Sequence, residues 1–183
     1  MDQPKPGATP PSGGAPAPMF DAKTLQTIQW SAIAGAVAGI VEHIAGYAAA
    51  RMTARATLGR FGLSDYGFAL PSITGPQLNL RGLVSAIITA AIVGAIGGWV
   101  LARFFPLFLQ WNKQYLKGRL HTFFELLFFP TVVAGIILAL IGLASASLTG
   151  FGPWLALIIG LLIGRFLYAK IMDMQVGKHY PMS

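Results

Sequence analysis

Four long stretches of the chain are almost wholly apolar: Ile28 to Ala50, Leu83 to Ala102, Leu126 to Leu148 and Trp154 to Met172. Each has roughly the twenty residues that an α-helix needs to cross a hydrocarbon core at 1.5 Å per residue. Strand-like alternation is absent, and lipid offers a backbone no hydrogen-bond partners, so helices are the expected form. The pattern predicts an all-α integral membrane protein, a bundle of four transmembrane helices over residues 23–183.

The connections differ. Residues 51–82 carry Arg51, Arg55, Arg60, Asp65, Pro71 and Pro76 and read as a long polar loop. After Arg103, Pro106 suits the first turn of a new helix, and Phe108, Trp111 and Tyr115 then recur at helical spacing. Asn112, Lys113, Gln114 and Lys117 occupy the other surface, which predicts a short interfacial helix over 106–117 ending near Gly118. Residues 149–153 form a tight uncharged turn, so the last two spans make an antiparallel hairpin. Pro130 is placed to kink the third span.

The first 22 residues are rich in Pro, Gly and Ala, with six of the twelve prolines at 4, 6, 10, 11, 16 and 18. Such a segment lacks the apolar side chains that offset ordering entropy and is expected to be a disordered tail, or a ligand for a proline-binding partner.

Within the spans, small residues recur every four positions: Ala86, Ala90, Gly94, Gly98 and Ala102 in the second, Ala156, Gly160 and Gly164 in the fourth. Gly35, Gly39 and Gly46 in the first keep to one face. Faces of this kind let two backbones approach and gain dispersion energy in lipid. They predict packing within the chain, self-association or docking onto other membrane subunits. Glu42 falls on the first of these faces, mid-span, where a charged carboxylate costs several kcal/mol. With His43 beside it and Tyr47 about one turn on, it forms an expected polar group. Two roles suit that group: a proton or cation relay, or a hydrogen-bonded link between helices.

Composition agrees with lipid. Hydrophobic residues make up 55% and charged residues 10%, against about 25% charged in a typical soluble chain. The net charge of +7 comes from basic residues scattered at span edges, which speaks against a nucleic-acid footprint and for headgroups. Arg103, Trp111, Lys113, Lys117 and Arg165 are read as interfacial, the two arginines snorkelling from span ends in similar Gly-to-Arg-Phe sequences. With four crossings, nine Lys/Arg (Lys5, Lys23, Arg103, Lys113, Lys117, Arg119, Arg165, Lys170, Lys178) share the side of both termini and four (Arg51, Arg55, Arg60, Arg81) face the other. Both termini are therefore expected in the cytoplasm.

No cysteine is present, which excludes disulfides and thiolate sites. His121 and Glu125 stand i, i+4, half of a tetrahedral metal set at most, and a helix-start role fits Glu125 better. No nucleophile set, P-loop or dinucleotide motif occurs, so neither cofactor nor metal is expected. The sequence-based reading is a non-enzymatic subunit of a membrane complex or homo-oligomer. Alternatives are a small proton or ion transporter using Glu42 and a lipid-organising protein using the interfacial helix.

Overall fold

The structure, a computed structural model, describes residues 21–60 and 80–182, without the side chains of Leu58 and residues 146–149. The Pro-rich tail and most of the expected loop at 51–82 lie outside the described residues. Four helices make up nearly all of the rest: α1 (Ala22–Arg60), α2 (Leu80–Tyr115), α3 (Phe123–Thr149) and α4 (Gly152–Val176), followed by a 3-10 turn at Gly177–His179. No strand occurs among the described residues. All four are long and apolar enough to cross a membrane.

Asp21 starts α1: its Oδ1 accepts the Thr24 N–H at 2.7 Å, satisfying one of the donors that a helix N-terminus leaves free. A capping box starts α3. The Thr122 hydroxyl accepts the Glu125 N–H at 3.1 Å, and Glu125 Oε2 accepts the N–H groups of Thr122 (3.1 Å) and His121 (2.6 Å). Glu125 thus binds backbone and is the first-turn acid of its helix. Gly150, at φ +75°, makes the turn into α4, where Pro153 occupies the first turn.

Two boundaries depart from the sequence reading. α1 continues through Arg51 and Arg55 to Arg60, because Arg51, Met52, Ala54, Arg55 and Ala56 are good helix formers and the Thr53 and Thr57 hydroxyls bond back to the carbonyls one turn earlier. Nor is there a separate interfacial helix over 106–117. α2 runs unbroken through Pro106, although proline carries no N–H for the Ala102 carbonyl. Its buried positions, Gly94, Gly98, Leu101, Phe105 and Asn112, stay on one stripe across the proline, and packing along that stripe holds the helix together. Asn112, expected on the polar surface, is 3% exposed. Its amide donates to the Leu120 carbonyl (2.9 Å) and accepts the Leu120 N–H (3.3 Å), while its carbonyl accepts the Gly118 N–H. These bonds fold the chain back at Lys117 and Gly118, both at positive φ.

The helices follow the spatial order α2, α1, α4, α3, with α1 held between α2 and α4 and with α3 against α4. α2 and α3 meet through side chains at one end, where Phe105 contacts Phe123 and Trp111 contacts Phe129. The main core lies at that end. Leu101, Phe105, Phe123, Leu126, Met172, Val176 and Tyr180 gather there, each under a tenth exposed. The Tyr180 ring stacks on Phe123 with centroids 5.1 Å apart and lies under Lys23 Nζ at 4.3 Å. Thr27 gives its hydroxyl proton to the Lys23 carbonyl (2.8 Å), so the Tyr180 hydroxyl donates to Thr27 Oγ1 (2.8 Å). The start of α1 and the C-terminal segment are thereby latched together. The last apolar span is expected to end near Met172 within a domain that runs to 183, and the chain beyond it stays packed through Tyr180.

Candidate functional site in the helix seams

The glycines of α1 and α2 lie face to face in an antiparallel register. A Cβ added to Gly35 would stand 2.5 Å from the Ala90 carbonyl oxygen; one on Gly39 would overlap the Ala90 Cβ, 3.5 Å from the Ala86 carbonyl. One on Gly94 would overlap the Ser31 carbonyl, and one on Gly98 would come 2.6 Å from the Ser31 Cβ and 2.9 Å from the Thr27 carbonyl. On the other side of α1, Gly160 abuts Ala45, and Gly164 would be 3.1 Å from both the Ala38 carbonyl and Glu42 Cγ. Ala156 is half-buried one turn before Gly160.

Gly46 is the exception: no described atom lies within 4 Å of a Cβ there.

Between these seams lies a line of polar groups. Ser31, fully buried, donates its hydroxyl proton to the Gly94 carbonyl (2.6 Å), so the Tyr168 hydroxyl donates to Ser31 Oγ (2.5 Å). This chain of bonds ties α4 through α1 to α2. One turn along α4, the Arg165 guanidinium lies 5.9 Å from the Tyr168 ring centroid, and its Nε is 2.9 Å from Glu42 Oε1. The Nε–H is not aimed at that oxygen, so the contact is an ion pair without an aligned hydrogen bond.

Glu42 therefore has its cation, and the isolated carboxylate expected from sequence is replaced by a charge pair bridging α1 and α4. Arg165, read from the sequence as interfacial, lies near the middle of α4 and pairs there with Glu42. Arg103 is exposed on α2, and Trp111, Lys113 and Lys117 are exposed at the end of α2 and in the turn that follows. The polar group expected at Glu42, His43 and Tyr47 divides. Glu42 and His43 line one groove, whereas the Tyr47 hydroxyl accepts from Arg51 at 3.1 Å.

That groove, about 630 Å³, runs between α1, α2 and α4, and Ser85, Thr89, Arg165 and Tyr168 also line it. A second cavity of about 650 Å³ opens where α2 and α3 diverge, lined by Leu101, Leu107, Phe108, Trp111, Leu126 and Pro130 among others. Gly97 and Tyr168 border both. Among the described residues, no three His, Asp or Glu side chains gather as a metal site.

Sequence reasoning missed Ser31 and Tyr168. Ser31 lies one turn before Gly35 on the same face, so the small-residue pattern held that signal. The partnership of Arg165 with Glu42 could not be read without the register of α4 on α1. No known protein family, curated protein or solved structure matches the chain.

Proposed function

We propose that the protein is a multi-pass integral membrane protein with both termini in the cytoplasm, acting without catalysis as a structural or assembly subunit. The observation that carries this reading is the contrast between the two kinds of helix face. Charges and hydroxyls turn inward and pair, as Glu42 with Arg165 and Ser31 with Tyr168. Outward, Ile88, Ile92 and Ile96 on α2 and Ile136, Ile137 and Leu140 on α3 are each more than half exposed. Rows of large apolar side chains suit lipid tails or the helices of another membrane protein. Extraction of native membranes with alkaline carbonate should leave the chain in the pellet. Purification in mild detergent with mass measurement should then yield a defined oligomer or a companion subunit. A lone monomer would remove the subunit reading, and release by carbonate would remove the membrane reading with it.

A second reading, a small proton or ion transporter, draws support from the open groove that reaches Glu42, His43 and Arg165. Flux in liposomes with Glu42→Gln separates the two. The transporter reading requires flux that the substitution abolishes. The lipid-organising reading rested on a separate surface helix, and the unbroken α2 leaves it without that support.

A further inference from the structure

The groove between α1, α2 and α4 has a direction. Along α2 its lining runs from Gly82, just before the apolar span that starts at Leu83, to Gly97. That course is about 22 Å at 1.5 Å per residue. Polar side chains line it on all three helices: Glu42 and His43 on α1, Ser85 and Thr89 on α2, Arg165 and Tyr168 on α4. It stops at Tyr168. There the bonds from Tyr168 to Ser31 and from Ser31 to the Gly94 carbonyl join α4, α1 and α2, and Gly98 lies against Ser31 and the Thr27 carbonyl. Beyond that closure stands the buried core of Leu101, Phe105, Phe123 and Tyr180. The groove thus reaches the end of the bundle where α2 begins, and is shut towards the end that holds the start of α1 and the C-terminal segment.

Its walls decide what can fill it. Glu42 and Arg165 pair without an aligned hydrogen bond, and each keeps about one-third of its side chain exposed at mid-span depth. The Ser85 and Thr89 side chains are exposed, and neither they nor His43 has a hydrogen-bond partner among the described residues. An acyl chain would leave all of these groups unsatisfied, whereas ionised side chains inside a span turn to a partner or to a water-filled cavity. The volume of about 630 Å³ far exceeds the roughly 30 Å³ that one molecule occupies in liquid water. We infer that the groove is a water-filled half-channel, open on the side where α2 begins and closed at Tyr168, which brings one aqueous phase to the Glu42–Arg165 pair. Water there supplies the bonds that His43, Ser85 and Thr89 lack, and protons reach Glu42 from that side alone.

The half-channel presupposes the bilayer of the membrane reading above, and its test is kept separate from carbonate extraction. The chain has no cysteine, so single thiols report without background. Arg81→Cys, Ser85→Cys, Ile88→Cys and Thr89→Cys are placed one at a time in the full chain in sealed membranes. Their rates of modification by a membrane-impermeant trimethylammonium methanethiosulfonate are measured from each side. The reagent attacks the thiolate, a form that water supports and hydrocarbon does not. From the side that modifies Arg81→Cys, Ser85→Cys and Thr89→Cys should react within about ten-fold of its rate. Ile88→Cys, next to Thr89 in depth but on an exposed face outside the groove, should react about a hundred-fold more slowly or less. From the opposite side, Ser85→Cys and Thr89→Cys should stay unmodified.

If either groove variant aggregates, Val93→Cys, exposed on the same wall, takes its place. Groove positions as slow as Ile88→Cys, the result that lipid or a covering helix would give, would overturn the half-channel. In protein that resists carbonate, that failure leaves the membrane reading standing. Equal rates from the two sides would overturn the closure at Tyr168. Fast modification of Ile88→Cys as well would show α2 bathed in water on every face and overturn the membrane reading together with the half-channel.

Discussion

At the scale of single residues, polar groups inside this fold are costly unless each finds its partner. The Glu42–Arg165 pair is about one-third exposed on each side chain, between the regimes of a surface pair and a buried one. Removing one member leaves the other in a largely apolar seam, so Glu42→Gln and Arg165→Gln are each expected to destabilise by about 1–3 kcal/mol. The double substitution should cost less than the two single costs together. Thermal unfolding of the four proteins in one detergent measures this coupling, and strict additivity would show that the charges do not interact.

Tyr180 offers a test by pH. Burial pushes its phenol above the ordinary value of 10, and the neutral form is the one that donates to Thr27. Because its folded pKa is raised, its contribution is complete below about pH 10 and is lost as pH rises beyond it. Unfolding followed from pH 8 to 11 should show a loss above about pH 10 that is smaller in Tyr180→Phe. An identical alkaline profile in the two proteins would exclude the latch as its cause.

At the scale of the helices, one residue type carries opposite meanings by position. Gly94 admits the Ser31 carbonyl, a backbone atom that cannot step aside, so Gly94→Ala should cost about 1–3 kcal/mol through overpacking. Gly97, one turn on and exposed, would bring a Cβ only to ordinary contact with the Tyr168 hydroxyl, at 3.9 Å, and Gly97→Ala should gain roughly 0.5–1 kcal/mol from reduced backbone freedom in the unfolded chain. Melting temperatures that move in the same direction for both would contradict the register of α1 on α2.

These glycines also mark what the sequence made legible. Spacing alone put Gly35, Gly39, Gly94 and Gly98 on shared faces, since helical periodicity is a local property. Which face meets which neighbour is set by register between helices, so the partnership of Glu42 with Arg165 leaves no sign in the spacing of either helix. Pro106 misled for a related reason: its local preference for a first turn yields to a buried stripe on both sides of it. The helix-start role read for Glu125 is half of the Thr122-to-Glu125 box, whose other half does not show in hydropathy, which sets a span's edge by apolar content and not by hydrogen bonds.

At the scale of the whole molecule, topology and orientation are separate questions. Contacts of Lys23, Phe105, Phe123 and Tyr180 bring the start of α1, the later part of α2, the start of α3 and the C-terminus to one end. Four crossings require that arrangement, whichever way the bundle points. Direction rests on charge alone. Arg165, paired inside the bundle, belongs to neither end, so the nine basic residues on the side of the termini fall by one to eight, against four on the other. The bias keeps the direction of the cytoplasmic termini proposed above. The cysteine-free chain permits a direct test, because any single introduced thiol is unique. Lys178→Cys and Arg119→Cys are expected to stay unlabelled when intact cells meet a membrane-impermeant maleimide, and to label once the cells are opened. Arg81→Cys, exposed at the opposite end, should label in intact cells. The reverse pattern would keep the fold and invert the orientation, showing that the four arginines of α1 and α2 outweigh the larger group. Labelling of all three positions from one side would instead break the four-crossing topology, since Arg119 and Arg81 flank the length of α2.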